Sequence, residues 1–273
     1  MTSFRAACVQ LRSSDDVAEN IRVASELIRE ARAKGADFIA TPENTTLMAA
    51  DGGAKLEKTF SEDADPALPA FRALAEELGA WLLIGSLAIK TGATKTANRS
   101  FLIDPKGRVA ARYDKIHLFD TDPGSGESYR ESNTVAGGHR AVTADLPWGR
   151  FGMTICYDLR FPRLYRRLAK AGAFMLSVPS AFTETTGKAH WHVLLRARAI
   201  ENGAFVIAPA QGGIHANGRA TYGHSLIVAP WGGILAEAGT EPGVILAEID
   251  PAAVTSARSR VPSLTHDRDF EGP

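Results

Sequence analysis

Cysteine is scarce in this chain, with two residues among 273. Cys8 and Cys156 therefore cannot form a disulfide framework, and neither belongs to a Cys-x-x-Cys pair that would bind metal or cycle redox. A surplus of charge is also missing. The 31 Lys and Arg balance 31 Asp and Glu, and without clustered basic residues neither nucleic acid nor an acidic membrane is an expected partner. No continuous apolar run of membrane-spanning length occurs, and the first residues lead into a strand-like segment without an apolar signal core, so the expected address is the cytoplasm. What is present, 45% hydrophobic and 23% charged residues, suits a globule with a large core. No linker divides the chain, so a single domain over 1–273 is expected.

The pattern along the chain is strand then helix, twice over. Phe4 to Leu11 reads as a buried strand. Val17, Ile21, Ala24, Ile28 and Ala31 mark a helix that starts at Asp15-Asp16 and stops at Gly35. A second strand, Asp37 to Thr41, ends abruptly at Pro42-Glu43, and residues 45–65 read as a loop with room for a short helical piece. A helix from Asp65, a strand over Trp81–Ile89 and a hairpin turning at Asp104-Pro-Lys-Gly107 follow. Lys115 closes the hairpin, and Asp120 to Gly138 reads as a long loop. The second half repeats the grammar: an apolar run to Cys156, a helix opened by Asp158, a strand over Phe174–Val178, a helix over about 188–202 and a strand over Ala204–Ala208. A hairpin of Tyr222–Val228 with Ile234–Ala238, a last strand over Val244–Ile249 and a short helix complete it. Two similar halves, each mixing βαβ with a hairpin, predict an α/β fold in which two mixed sheets pack together with helices outside.

Glu43, Lys115 and Cys156 all fall where α/β sheets place their sites, at the carboxyl ends of strands. Each alone is a weak signal, since surface Glu and Lys abound and lone cysteines are mostly core residues. Together they make chemical sense. A free thiol near neutral pH is only a few per cent thiolate, so a nucleophilic cysteine needs a base and a nearby cation. Glu43 can take the thiol proton, while Lys115 and the backbone N–H of Tyr157 can hold an oxyanion, each such donor contributing roughly 3 kcal/mol in the transition state. Cys8, inside Ala6-Ala-Cys-Val9, reads as core packing.

The segments Thr41-Pro-Glu43, Tyr113-Asp-Lys-Ile-His-Leu-Phe119 and Ile155-Cys-Tyr-Asp-Leu-Arg-Phe161, in that order, resemble the three signature segments of the nitrilase, or carbon–nitrogen hydrolase, superfamily. The resemblance extends over nearly the whole chain. It implies a four-layer αββα sandwich with an internal pseudo-two-fold repeat, a homodimer, Glu43 as general base, Lys115 as cationic member, Cys156 as nucleophile, and a thioester intermediate without metal or other cofactor. A second glutamate is implied after the lysine motif: Tyr129-Arg-Glu131-Ser-Asn133 points to Glu131, with Glu127 the competing choice.

The finer resemblance is to the deaminated-glutathione amidase and ω-amidase branch, carried by Pro179-Ser-Ala-Phe182, Thr186-Gly-Lys-Ala-His-Trp191, Leu194–Glu201, Ala210-Gln-Gly-Gly-Ile-His215 and Tyr222-Gly-His-Ser225. It implies a small primary amide on an α-keto acid skeleton as substrate, with Ala210–His215 resembling the deaminated-glutathione type and so favouring deaminated glutathione, ammonia as product, Phe182 and Thr183 as substrate contacts, and Arg or Tyr side chains to receive substrate carboxylates. Residues 44–53 depart from the branch pattern, which leaves the substrate open. The alternatives are an ω-amidase acting on α-ketoglutaramate, an N-carbamoyl amino acid hydrolase, or a non-catalytic binding module on the same fold. His190-Trp-His192 does not predict a metal site, because side chains two apart on a helix diverge. The glycine pairs lack a nucleotide-binding context.

Overall fold

The structure is a computed structural model that describes all residues except Met1, Ala50, Ser125 and Pro273. The ends of the expected 1–273 domain, and one residue in each of the loops expected at 45–65 and 120–138, thus lie outside the described residues. In chain order the elements are β1 (Phe4–Gln10), α1 (Val17–Ala33), β2 (Phe38–Ala40), α2 (Gly52–Glu57), α3 (Ala67–Leu78), β3 (Trp81–Lys90), β4 (Thr96–Ile103), β5 (Val109–Asp114), β6 (Asp120–Gly124) and β7 (Glu127–Arg130). They continue as β8 (Val142–Leu146), β9 (Gly149–Met153), α4 (Pro162–Lys170), β10 (Ala173–Ser177), α5 (Glu184–Asn202), β11 (Phe205–Ala208), β12 (Gly212–Ile214), β13 (Ala220–Tyr222), β14 (Leu226–Val228), β15 (Ile234–Glu237), β16 (Gly243–Ile249) and α6 (Ala252–Arg260).

Twelve of the strands form two six-stranded mixed sheets, in the orders β16-β1-β2-β3-β4-β5 and β8-β9-β10-β11-β14-β15. Read in these directions the two sheets match strand for strand. The first pair is antiparallel, the next two are parallel and the last two antiparallel. This is the expected internal repeat with one difference: the first sheet takes its outer strand from the far end of the chain, where β16 pairs with β1 from Phe4↔Ile249 to Gln10↔Gly243.

Strand period sorts the layers, because alternate side chains face opposite sides of a sheet. In the first sheet Ala7, Val9, Ile39, Leu82, Ile84 and Phe101 meet the apolar stripes of α1 (Ala24, Ile28, Ala31) and α3 (Phe71, Leu74, Ala75). The alternate residues, Ala6, Cys8, Phe38, Ala40, Leu83 and Leu102, join the core shared with the second sheet. There Phe38 meets Phe151 edge to face, ring centroids 5.3 Å apart. Cys8 is fully buried in this core, and burial pushes its thiol pKa up. α4 and α5 supply Leu164, Leu168, Trp191 and Leu195 to the core on the second sheet, which gives the αββα layering.

Three expectations change. The loop expected over 120–138 carries the β6–β7 hairpin and a 3-10 turn at Glu131–Asn133. The strand expected from Tyr222 starts at Leu226, because Gly223 and His224 both take positive φ, 68° and 53°, and Tyr222 pairs instead in the small β12–β13 sheet. The helix expected from about 188 starts at Glu184, capped by Thr183, whose Oγ1 accepts from the Thr186 N–H.

Candidate active site

Glu43, Lys115 and Cys156 come from the ends of three strands and meet in one cavity of about 900 Å³. Glu43 lies just past β2, in a turn tied to a bulge in β3. The β3–β4 register shifts between Ile84 and Leu87, and at that bulge Ser86 accepts the Asn44 N–H on Oγ (2.9 Å) and the Thr45 N–H on its carbonyl (3.0 Å). From the other side, Gln211 Nε2 donates to the carbonyls of Glu43 and Asn44 at 3.1 and 3.2 Å. Gly85 makes the approach possible: a Cβ there would lie 2.0 Å from the Thr41 carbonyl oxygen and 2.5 Å from Pro179 Cβ.

The Glu43 carboxylate is buried and fully engaged. Lys115 Nζ and Asn98 Nδ2 each donate to Oε1 at 2.8 Å, and the Ala181 N–H donates to Oε2 at 2.9 Å. Burial by itself favours the neutral acid. The Lys115 ammonium opposes it, helped by the Cys156 thiol and Asn98, and the net effect holds the carboxyl well below the usual range. Lys115, 2% exposed, is also bound by Glu131, with Oε2 at 2.9 Å. Burial alone would lower its pKa, but the two carboxylates and the neighbouring cysteine raise it well above the ordinary lysine value. Glu131 itself is fixed by the Phe119 N–H at 2.7 Å and by Asn98 at 3.2 Å. Of the two glutamates left open by the sequence, Glu131 reaches Lys115. Glu127 lines the same cavity but accepts from the Tyr129 hydroxyl.

Cys156 sits where a strand end turns, as expected, but not at the mouth of a long helix. It begins a 3-10 turn, Cys156–Arg160, and α4 starts only at Pro162. Its φ is +47°, a left-handed conformation that side chains other than glycine adopt under constraint. The Cys156 N–H donates to the Pro179 carbonyl at 3.0 Å. The next amide, that of Tyr157, donates to no protein acceptor among the described residues, and Tyr157 lines the cavity. Burial, and then the charge of Glu43, push the Cys156 thiol pKa up, so the resting group is the thiol.

Asp158 joins the cysteine turn to the lysine segment. Fully buried, it accepts on Oδ2 from the Tyr113 hydroxyl (2.7 Å) and the Ile155 N–H (2.9 Å), and on Oδ1 from the His117 N–H (3.1 Å), with His117 Nδ1 at 2.7 Å. Tyr113 and His117 flank Lys115 on either side, so one carboxylate sets the Lys115 backbone against the Cys156 turn. Arg198 on α5 closes that turn, donating from Nε and Nη2 to the Leu159 carbonyl. Phe182 and Thr183, the expected substrate contacts, are among the residues that line the cavity.

Sequence reasoning did not single out Asn98, Lys55 or Arg219. All three carry polar donors at or beside the cavity, and no motif around them announces it. Possible metal ligands gather elsewhere: one atom each of His192, His224 and Glu237 lies within 4.8 Å of the others, and none of the three lines the cavity. Both rings hydrogen-bond Glu237 Oε1, so the gathering is explained without an ion.

The chain has relatives in both sequence and structure. A deaminated glutathione amidase of Synechocystis sp. is 42% identical over 97% of this chain and 98% of its own length. The crystal structure of the C. elegans NitFhit protein superposes with a TM-score of 0.91 at 36% identity, over 97% of this chain and 65% of that longer one. An amidase from Nesterenkonia sp. AN1, solved as a glutamate-to-glutamine mutant with acrylamide added to the active-site cysteine, superposes at 0.81 and 25% identity over 94% of this chain and 98% of its own. The carbon–nitrogen hydrolase family model matches residues 5–259, and this chain belongs to that family.

Proposed function

We propose that this protein is a cofactor-free amidase that hydrolyses deaminated glutathione through a thioester on Cys156, with residues 1–273 acting as one domain. The observation that carries the reading is the buried Glu43–Lys115–Glu131 cluster against the Cys156 thiol. Two carboxylates and one ammonium leave this cluster with net charge −1 while the cysteine is neutral. A proton can therefore move from Cys156 Sγ to Glu43 without changing the charge of the site, which suits a buried place where any new net charge is costly. Sγ attacks the amide carbonyl carbon, and the oxyanion is received by Lys115 Nζ and the unengaged Tyr157 N–H. Glu43 then gives its proton to the nitrogen as the C–N bond breaks. Water, deprotonated by Glu43, attacks the thioester, the C–S bond breaks, and the thiol and the free acid are restored. Glu131 holds Lys115 in place and charged throughout.

The substrate follows the names of relatives such as the Synechocystis protein, and its chemistry changes one expectation. Glutathione joins glutamate to cysteine through the side-chain carboxyl, so the deaminated compound carries a secondary amide. Its leaving amine is cysteinylglycine rather than ammonia. Ammonia release from a primary amide belongs to the ω-amidase alternative. A cavity of about 900 Å³, at the upper end of the small-ligand range, favours the larger, tripeptide-sized substrate. The homodimer is likewise proposed, and so is a cytoplasmic setting, where a reducing milieu keeps the free Cys156 thiol competent.

The test is a panel of deaminated glutathione, α-ketoglutaramate, an N-carbamoyl amino acid and a simple nitrile, assayed for each acid product with wild type and Cys156→Ala. Cleavage of deaminated glutathione at least tenfold faster than the others, and a fall of about 10³-fold or more in the variant, is the expected result. Preference for α-ketoglutaramate would move the protein to the ω-amidase reading, and turnover unaffected by Cys156→Ala would end the thioester mechanism.

A further inference from the structure

The cavity holds two cations that the catalytic cluster does not use. Lys115 is bound by two carboxylates and Arg130 by Asp122. Lys55 on α2 and Arg219 at the start of the β12–β13 hairpin's second strand also line the cavity, and neither is paired with a carboxylate among the described residues. Lys55 Nζ donates to Asn44 Oδ1 at 2.8 Å, which leaves most of an ammonium's three donors free. Arg219 Nη2 donates to the Ala181 carbonyl at 2.7 Å, its guanidinium carbon lies 5.1 Å from the centre of the Tyr129 ring, and its buried Nε has no partner among the described residues. Neither placement is accidental to the site. Asn44 follows Glu43 in the chain, and the Ala181 N–H binds Glu43, so both cations are anchored to the residues that frame the base.

Two cations left without anions inside a cavity are costly unless a ligand supplies the charge. The inner cluster, at net −1, would repel an anionic substrate. Lys55 and Arg219 supply positive charge to the same cavity. Two further carboxylates line the cavity, Glu127, held by the Tyr129 hydroxyl, and Asp51, which accepts the Ala54 N–H, and neither forms an ion pair with Lys55 or Arg219.

We propose that Arg219 and Lys55 form a carboxylate-receiving subsite that makes this enzyme select amides bearing a carboxylate. The guanidinium offers the fork that grips a carboxylate in two places, and the lysine adds a mobile point charge. Arg219 stands on a short hairpin held by His215, whose ring contacts the Ser13 carbonyl and the Thr221 hydroxyl at 2.8 and 2.7 Å, so its position is set before substrate arrives. The inference rests on the amidase reading and narrows its substrate class.

The test compares deaminated glutathione with two analogues, one with the keto-acid carboxylate methylated and one with the glycine carboxylate amidated, across wild type, Arg219→Gln, Arg219→Lys and Lys55→Met. Wild type should prefer the parent over at least one analogue by tenfold or more, and which analogue suffers identifies the carboxylate received. In Arg219→Gln that preference should collapse through a rise in KM, with partial recovery in Arg219→Lys and a smaller loss in Lys55→Met. Equal cleavage of all three compounds by wild type, or an intact preference in Arg219→Gln, overturns the subsite while leaving the amidase reading in place. A second measurement is independent of turnover: calorimetric binding of α-ketoglutarate to Cys156→Ala with and without Arg219→Gln. Tenfold weaker binding in the double variant supports the subsite even if no amide is cleaved, and equal binding removes it.

Discussion

At the scale of single residues, the site is a problem in buried charge. Glu43 and Lys115 are both almost fully buried; Glu43 is held ionised chiefly by Lys115, and Lys115 by Glu131 together with Glu43. This has a consequence for stability. The folded carboxyl of Glu43 titrates below its ordinary value near 4.5, so unfolding at low pH takes up a proton. The stability that Glu43 contributes is therefore fully present above that value and is lost as the pH falls toward the folded value of about 2. The stability difference between wild type and Glu43→Gln, from urea unfolding at pH 6, 4.5 and 3, should shift steadily against wild type on acidification. A difference that does not change with pH would mean that Glu43 is not held ionised. Among residues, the sequence made Glu43, Lys115 and Cys156 legible because each lies in a compact local pattern at a strand end. Asn98, Lys55 and Arg219 were not legible, since each acquires its place only when distant strands are brought together. The Asn98 side chain, for instance, binds carboxylates 55 and 33 positions away.

At the scale of elements, what aligns the three strand ends is a bulge, a 3-10 turn and one close approach. Gly85 lets the turn after β2 lie against Pro179, and the segment after Pro179 supplies the Ala181 N–H to Glu43. Gly85→Ala should force these apart, with a loss of about 2–3 kcal/mol in stability, as overpacking of a tight site does, and a fall in kcat larger than any change in KM. Chemical denaturation and steady-state kinetics check both, and a variant within about 0.5 kcal/mol of wild type, the range of an unconstrained surface change, would show that the approach is not constrained. Elements with a clean period, α1, α3 and β3, were readable within a residue or two, because amphipathic spacing and stop signals coincide there. The β6–β7 and β12–β13 hairpins were not. Their strands are three to five residues long, too short to show alternation, and they occur among glycine, serine and threonine. The start of α5 was hidden by Gly187, a poor helix former. It is required there because a Cβ would lie 2.3 Å from the Tyr222 side chain.

At the scale of the whole molecule, the layering leaves apolar side chains uncovered on α5 and β15. Val193 and Ile200 on α5 and Ile234 and Leu235 on β15 are exposed by 68, 54, 41 and 45%, and β15 is the outer strand of its sheet. A bare edge with apolar side chains invites a partner, which fits the proposed homodimer. Sedimentation should give the mass of a dimer, and Ile200→Glu combined with Leu235→Glu should shift it toward the monomer at micromolar concentration. Retention of the dimer in that variant would move the interface elsewhere. The repeat itself was legible from the sequence as two similar halves, but the exchange that completes the first sheet was not, because nothing in residues 243–249 names β1 as their partner. That exchange bears on how the chain is made. A ribosome delivers β1 long before β16, so in the interval the first sheet waits with an open flank that only residues 243–249 can close. That sheet is therefore completed only after residues 243–249 have emerged, and a chain cut short before residue 243 would lack the strand that closes β1 along all seven of its pairings.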